Sequence, residues 1–224
     1  MENNNKSYFI WSAAGLVVLL AVWIIVKVVQ TPSVRLNLTT NEVTESDWYK
    51  GSKEAKIVII EYGDFQCPAC QVYEQVTKAL NQEYGNKILF AYRHFPLRSV
   101  HPNAYSAAVV AEAAGKQGKF WEMHDKLFEK HDEWVESNDP QPFYVKYADD
   151  LGLKADQFKS DIASSELKDK VQASYASAMK LGLPGTPSFF LNGKLIETPA
   201  SFDLFKKLID QELAKQEPVK QESV

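Results

Sequence analysis

The chain has 224 residues, of which 45% are hydrophobic and 12% aromatic, which is enough to bury the core of at least one domain. It carries 25 Lys and Arg against 29 Asp and Glu, a net charge of −4. No basic stripe runs along the sequence, so the composition argues against a nucleic-acid partner.

The first predicted element is a membrane-spanning helix. Tyr8 to Val26 carries no charge, and a helix of that length spans ~28 Å, about the thickness of a bilayer's hydrocarbon core. A cleaved signal peptide is the alternative, but its apolar region is normally about 7–15 residues and precedes a small-residue cleavage site that is absent here. We favour a signal-anchor over residues 8–29, with residues 1–7 in the cytoplasm and the rest outside, where disulfides persist.

The next segments lead to a buried strand and a helix. Residues 30–53 are polar and mixed, which predicts a linker with a short edge strand at Val34–Leu38. The apolar, β-branched run Ile57–Ile60 predicts a strand buried on both faces. Apolar residues at helical spacing from Val72 to Leu80 then predict a helix that ends at Gly85.

The chain's two cysteines, Cys67 and Cys70, fall at the start of this helix. A bridge between them closes a very small loop and stabilises little, so redox chemistry explains the pair better than stapling. Pro68 suits the first helical turn, which places Cys67 at the helix N-terminus, where N–H groups and the helix dipole favour a thiolate. Cys70 is expected to face the interior. Glu61, at the end of the strand, is either a buried carboxyl that relays protons to Cys70 or a solvated glutamate.

Helical patterns dominate the middle of the chain. Ile88–Phe95 predicts a second strand, parallel to the first because a single helix separates them. The ninety or so residues of helical pattern that follow exceed an ordinary crossover, so we interpret them as a subdomain inserted at about 100–182. Its predicted helices are Pro102–Gly115, Lys119–Lys130, Pro142–Leu151, Asp156–Ile162 and Glu166–Leu181.

A hairpin and a final helix complete the prediction. Ser188–Leu191 and Lys194–Glu197 flank Asn-Gly, the pair that a type I′ turn requires. Ser201 is suited to cap a last helix with an apolar side. Residues 215–224 are polar and are predicted to be frayed.

For most other polar residues the sequence indicates an ordinary structural or surface role. The four histidines lack the spacing of a paired zinc motif, so we predict no metal site. His101 is predicted to be a capping or surface residue, and His124 an ordinary helix-face residue. Asp64 and Gln66 either tune the field at the thiolate or are merely solvated.

Three motifs in this order resemble the DsbA-like branch of the thioredoxin superfamily: Glu61-Tyr-Gly-Asp-Phe-Gln-Cys-Pro-Ala-Cys70, Arg93-His-Phe-Pro-Leu97 and Gly185-Thr-Pro-Ser-Phe-Phe190. The resemblance runs from about Val43 to Leu213. It implies an α/β thioredoxin fold over about 54–214, with the helical subdomain inserted in it.

The resemblance also implies roles for single residues. Cys67 would be the nucleophile, Cys70 the resolving thiol and Glu61 a buried acid/base. Pro187 would be a cis-proline that, with Thr186, shapes the substrate groove. Pro68 and Ala69 are also expected to contact substrate, and they lack the histidine that strong oxidants of this family often carry between their cysteines.

These features predict a membrane-anchored enzyme that donates disulfides to exported cysteine-containing proteins. Its only redox group would be the Cys67–Cys70 disulfide, with no separate cofactor. Its partners would be a membrane reoxidant and the lipid bilayer, reached through Tyr8–Val26. The alternatives are a reductase or isomerase on the same scaffold, and an anchored binding module whose bridge is inert.

Overall fold

The computed structural model describes residues 42–216 and Trp23. Within residues 42–216, five strands form one sheet and eight α-helices surround it. The strands are β1 (Trp48–Gly51), β2 (Ile57–Gly63), β3 (Ile88–His94), β4 (Ser188–Leu191) and β5 (Lys194–Ile196). The helices are α1 (Pro68–Tyr84), α2 (Ala104–Gly115), α3 (Phe120–Glu129), α4 (His131–Trp134), α5 (Gln141–Asp150), α6 (Ala155–Ala163), α7 (Ser165–Lys180) and α8 (Phe202–Gln216).

The sheet has the order β1-β3-β2-β4-β5. β2 and β3 are parallel, as predicted, because the crossover through α1 returns the chain to the end of the sheet where β2 began. The other three neighbouring pairs are antiparallel. The predicted β4–β5 hairpin is confirmed, with Asn192 and Gly193 at φ values of 48° and 78° that fit a type I′ turn.

Two faces of the sheet pack against different helices. On one face Ile59 and Phe90 join a core formed with α1 and α8. On the other face Ile60 and Ala91 pack with Ala178 of α7. Because side chains alternate along a strand, the first face continues past its core to the carboxyl ends of β2 and β3.

Six helices, α2 to α7, lie between β3 and β4, where the sequence predicts the inserted subdomain. The four-residue helix α4 was not predicted, because four residues are too few to show a period. Val72, one of the apolar residues whose spacing predicts α1, is 65% exposed. The buried face of α1 begins at Cys70 and continues through Glu74 and Thr77 instead.

Part of the predicted linker is a strand. β1 pairs with β3, and its Trp48 stacks on Phe120 with ring centroids 4.7 Å apart. The Trp48 indole N–H donates to Glu112 at 2.9 Å. Contacts with residues far along the chain therefore hold this strand in place. The strand is short and the residues around it are polar, so the sequence shows no alternating pattern there. The edge strand predicted at Val34–Leu38 lies outside the described residues.

The two ends of the chain are described only in part. The predicted anchor Tyr8–Val26 lies outside the described residues except for Trp23, which is helical and exposed. No helix among the described residues is both long and apolar enough to cross a membrane. α8 begins after Ser201, whose hydroxyl accepts from the Leu204 N–H at 3.3 Å, so the predicted cap is confirmed. α8 also includes Lys215 and Gln216, which were predicted to be frayed.

Candidate active site

The two cysteines lie where β2 delivers the chain to α1. Cys67 is the N-cap of α1, with Pro68 in the first turn, so the predicted position at a helix N-terminus is confirmed. Both cysteines are free thiols. Cys67 is 8% exposed and Cys70 is completely buried. The prediction that Cys70 faces the interior is therefore confirmed. Pro68 and Ala69 are exposed beside Cys67.

The pKa of the Cys67 thiol is lowered to about 5. The largest cause is the Cys70 thiol, which donates a hydrogen bond to the thiolate. Burial opposes this effect, while Thr186 and the backbone N–H groups of Cys70 and Ala69 support it. The helix N-terminus and the neighbouring thiol therefore stabilise the thiolate without a histidine between the cysteines.

The loop before β4 forms the other wall of the site. The Cys67 thiol donates to the Thr186 carbonyl oxygen at 3.5 Å, and the Thr186–Pro187 peptide bond is cis. The Thr186 hydroxyl is buried without a hydrogen-bond partner in residues 42–216, so it is available to donate to Cys67 once the thiol ionises. Thr198 donates to the Pro187 carbonyl oxygen at 3.2 Å and helps to hold the loop in place.

Behind Cys67 the site is apolar and buried. Burial, followed by the hydrogen bond to Cys67 and the charge of Glu61, raises the pKa of Cys70 well above its ordinary value. Burial also raises the pKa of Glu61 to about 8, with smaller contributions from Glu74 and Cys67. Glu61 is 2% exposed, so the solvated interpretation is wrong and a carboxyl able to hold a proton at neutral pH lies behind the thiols.

Asp64 fixes the loop between β2 and α1, although the sequence left it open to be solvated. Its buried carboxylate accepts from the Leu97 N–H at 2.9 Å and contacts His101 Nδ1 at 2.8 Å. Its backbone N–H donates to the Cys70 sulfur at 3.5 Å. His101 is therefore a partner of the active-site loop, contrary to the prediction of a capping or surface residue.

Gln66 ties the same loop to the inserted helices. Its amide donates to the Val135 carbonyl at 2.8 Å and accepts from the Asn103 N–H at 2.7 Å. The imidazole of His131 donates to the Gln66 carbonyl at 3.0 Å. The solvated interpretation is wrong for Gln66 as well, and the insertion helps to position the nucleophile.

Two further buried polar residues were missed by the sequence analysis. Glu74 lies one turn beyond Cys70 on the same face of α1, and burial raises its pKa. Tyr92 lies opposite Glu61 in the β2–β3 ladder and is 2% exposed. Four-residue spacing from Cys70 was a usable signal for Glu74. Nothing local marked Tyr92 as different from an ordinary core tyrosine.

The remaining histidines pack close to this region. His124 is buried among aromatic rings, 4.8 Å from Tyr92 between centroids, rather than lying on an ordinary helix face. His94 Nε2 lies 2.9 Å from a carboxylate oxygen of Glu112, which also pairs with Lys170 at 2.7 Å. These contacts connect β3 to the inserted helices.

Comparison with known proteins shows what the chain is similar to. A protein-family model described as thioredoxin matches residues 43–211. The chain is 32% identical over 170 residues to a probable disulfide bond formation protein D of Bacillus anthracis, covering 74% of this chain and 77% of that protein. It is also 35% identical over 159 residues to a Na(+)/H(+) antiporter NhaA 3 of Salinispora tropica. The match covers 71% of this chain but spans about a quarter of that relative's length (24%).

Two solved structures share the fold. Wolbachia pipientis alpha-DsbA1 superposes with a TM-score of 0.69 at 25% identity, covering 78% of this chain and 96% of that one. Oxidised BdbD of Bacillus subtilis superposes with a TM-score of 0.70 at 21% identity, covering 80% and 98%. The second likeness concerns the fold alone. The family model and the Bacillus anthracis relative, with the site just described, show that the chain belongs to the thioredoxin superfamily, among its DsbA-like thiol-disulfide oxidoreductases.

Proposed function

We propose that this protein is a membrane-anchored oxidase that donates disulfides to exported cysteine-containing proteins by exchange at Cys67 and Cys70. The observation that carries the proposal is the opposite ionisation of two neighbouring thiols. Cys67 has its pKa lowered to about 5, while burial raises that of Cys70. A thiolate that is stable only in the dithiol form makes the disulfide form a better oxidant.

The size of this effect follows from the ionisation of Cys67. A pKa drop from 9.0 to about 5 favours the dithiol at pH 7 by about a hundredfold, which corresponds to about 60 mV for a two-electron couple. Thioredoxin and DsbA have nucleophilic thiols with pKa values of about 7 and 3.5, and potentials of roughly −270 and −120 mV. The same arithmetic places a pKa of about 5 roughly 50 mV above thioredoxin and roughly 45 mV below DsbA, which predicts a potential between about −220 and −165 mV.

The reaction begins with the oxidised protein. A substrate thiolate attacks the Cys67 sulfur, the Cys67–Cys70 bond breaks, and Cys70 leaves with the electron pair. Because Cys70 is completely buried, its thiolate is costly and must take up a proton. Glu61, with a pKa raised to about 8, holds a proton at neutral pH and supplies it.

The second step releases the product. The second thiolate of the substrate attacks its own sulfur in the mixed disulfide, and Cys67 leaves as a thiolate. The low pKa of Cys67 makes it a good leaving group. The substrate is oxidised by two electrons and the protein ends as the dithiol, so a reoxidant must accept those electrons before the next cycle.

The anchor and the location belong to the same proposal. They are supported by the uncharged run Tyr8–Val26 and by the need of a disulfide donor for an oxidising compartment. The reoxidant is then a membrane protein that reaches the exposed side of Cys67. In intact cells, a membrane-impermeant maleimide is expected to label Cys67 of the reduced protein. If Cys67 is labelled only after cell lysis, the domain lies on the cytoplasmic side of the membrane and the proposed location is wrong.

Disulfide transfer tests the proposed direction. The oxidised full chain is mixed with a reduced, unfolded protein that contains two cysteines, and the thiols of both are alkylated at intervals. We expect the substrate to gain a disulfide as the chain becomes reduced. A chain that instead reduces an oxidised substrate under the same conditions is a reductase, and a chain whose bridge exchanges with neither is an inert module.

A further inference from the structure

The main-chain N–H of Asp64 points at the sulfur of Cys70. It donates to that sulfur at 3.5 Å, and within residues 42–216 no other main-chain N–H does so. Both residues are buried, with Asp64 at 1% and Cys70 at 0% exposure. The two cysteines are free thiols, so the structure shows the state that follows cleavage of their disulfide. In that state a hydrogen-bond donor already faces the sulfur that has left the bond.

The peptide group that carries this N–H is also held at its carbonyl. The carbonyl belongs to Gly63, the last residue of β2, and accepts from the Phe95 N–H at 2.7 Å. A donor at the carbonyl polarises a peptide group and strengthens the hydrogen bond that its own N–H donates. The Asp64 carbonyl accepts in turn from the Cys67 N–H at 3.1 Å. The main chain around Asp64 is therefore fixed between the end of β3 and the first turn of α1.

The side chain of Asp64 holds the residue from a third direction. One carboxylate oxygen accepts from the Leu97 N–H at 2.9 Å and from His101 Nδ1 at 2.8 Å. The other oxygen accepts from the Gln66 N–H at 2.8 Å. Leu97 and His101 belong to one turn, because the His101 N–H donates to the Leu97 carbonyl at 2.9 Å. A single turn at the entrance to the inserted helices thus supplies two of the three donors that fix Asp64.

Cys70 needs a donor of this kind because it is the leaving group of the exchange reaction in a buried site. Burial is the largest cause that raises the pKa of Cys70, followed by the Cys67 thiol and the charge of Glu61, whereas the Asp64 N–H acts in the opposite direction. A donor that is aimed at developing charge in advance needs no reorganisation when the bond breaks, and its effect is large where water is excluded. The Asp64 N–H meets both conditions.

We propose that the Asp64 N–H stabilises the negative charge that develops on the Cys70 sulfur when the disulfide breaks, and that His101 is a positioning residue for this N–H. The role rests on the exchange reaction proposed above. A substrate thiolate forms a bond to the Cys67 sulfur, the bond between the two cysteines breaks, and its electron pair stays on Cys70. The Asp64 N–H keeps its proton throughout. Glu61 then supplies the proton that converts Cys70 to a thiol.

Two substitutions of His101 test the position of its donor. His101→Asn carries an amide N–H where the imidazole has Nδ1, whereas His101→Gln places the amide one bond farther from the main chain. Each oxidised full chain is reduced with dithiothreitol at pH 7, quenched with acid at intervals and alkylated. Attack on Cys67 limits this reaction, because the second thiol of dithiothreitol then closes its own ring. The rate therefore reports the step in which Cys70 leaves.

The two variants are expected to differ in this rate. His101→Gln should be reduced about tenfold more slowly than the unsubstituted chain, less than the ~10²–10³-fold cost of removing such a donor altogether, because the donor is misaligned but still present. His101→Asn should be reduced at nearly the unsubstituted rate. Unfolding would expose both cysteines and make reduction faster, so a variant that fails to fold cannot be mistaken for one with a misaligned donor.

A second reaction, in which Cys67 is the leaving group, provides the control. The Cys70→Ser chain is converted to a mixed disulfide between Cys67 and 2-mercaptoethanol. Dithiothreitol then releases Cys67, whose low pKa makes it the better leaving group. The Cys70 sulfur is absent from this reaction, so adding His101→Gln should not change its rate. Equal slowing of both reactions would show that His101 supports the site as a whole and would overturn the proposed role.

The remaining outcomes separate this role from the exchange reaction itself. Equal reduction rates for His101→Gln and the unsubstituted chain would overturn the role of His101 and Asp64 while leaving the exchange reaction intact. A His101→Asn chain as slow as His101→Gln would show that a donor at the Nδ1 position is not what matters, and would also overturn it. An unsubstituted chain that dithiothreitol cannot reduce at Cys67 would overturn the proposed function and this role together.

Discussion

The site has an outer half around Cys67 and an inner half around Cys70, and the two differ in every property that matters for exchange. The outer half contains exposed Pro68 and Ala69 and a thiol with its pKa lowered to about 5. The inner half has a completely buried thiol with a raised pKa, backed by Glu61. One turn of helix separates them, so burial rather than distance makes one sulfur a nucleophile and leaving group and the other a proton acceptor.

The largest effect on exchange is expected when each sulfur is removed in turn. Cys67→Ser should lose all exchange, because the remaining Cys70 is completely buried. Cys70→Ser should keep the reactive thiolate but lose the resolving thiol, so it should accumulate mixed disulfides with a two-cysteine substrate. Non-reducing electrophoresis after alkylation measures both outcomes. Capture of substrate by Cys67→Ser would show that the assignment of the two halves is reversed.

The next largest effect concerns Glu61 and the pH dependence of stability in the dithiol form. Because the pKa of Glu61 is raised to about 8 in the folded state, its contribution favours folding below about pH 4.5 and is lost as pH rises through about 8. The loss corresponds to about 4–5 kcal/mol. Chemical denaturation at several pH values should show that Glu61→Gln lacks this loss.

A matched control uses an exposed carboxylate. Glu136 lies at the surface, so Glu136→Gln should follow the unsubstituted stability curve. A Glu61→Gln curve that also runs parallel to the unsubstituted curve would mean that Glu61 is ionised and well solvated in the folded protein.

The outer half predicts a smaller effect of the opposite sign. The pKa of Cys67 is lowered from 9.0 to about 5, so ionisation of this thiol stabilises the folded dithiol. The contribution is complete above about pH 9 and is lost as pH falls through about 5. At pH 7 it amounts to about 2–3 kcal/mol. The free energy of unfolding of the dithiol should fall between pH 7 and 4. Cys67→Ser should show no such fall. A fall that persists in Cys67→Ser would be due to another ionisable group.

The smallest effect concerns the loop that joins the halves. His101→Gln should destabilise the protein by about 1–2 kcal/mol, since the buried Asp64 carboxylate loses a partner at 2.8 Å. Lys130→Gln removes an exposed pair with Glu133 and should leave stability nearly unchanged, because solvent screens such pairs. Thermal unfolding of the two variants measures the difference. Equal, small losses would show that Asp64 does not depend on His101.

The outer half was largely predictable from sequence. Pro68 and the apolar period of α1 placed Cys67 at a helix N-terminus, and the three motifs indicated the fold and the cis-proline. Local patterns are enough there because the thiolate depends mainly on the Cys70 thiol, one turn along the same helix, with support from the backbone N–H groups of that turn. The same kind of local pattern predicted β2, β3 and the hairpin.

The inner half was only partly predictable, because its properties come from residues far apart in the chain. Asp64 depends on Leu97 and His101, and Gln66 on Asn103 and Val135, contacts that only the folded insertion creates. Strand β1 was missed for the same reason, since Trp48 is held by Phe120 and Glu112. Neither periodicity nor motif spacing contains such pairings.

The equilibrium of the full chain with a glutathione redox buffer tests the central claim most directly. The fraction of Cys67–Cys70 disulfide, read by acid quenching and alkylation across a series of buffers, yields the reduction potential. The ionisation of Cys67 predicts a potential between about −220 and −165 mV, well above that of thioredoxin. A potential near roughly −270 mV, that of thioredoxin, would contradict an oxidase and would mean that the thiolate of Cys67 is not stabilised as the geometry requires.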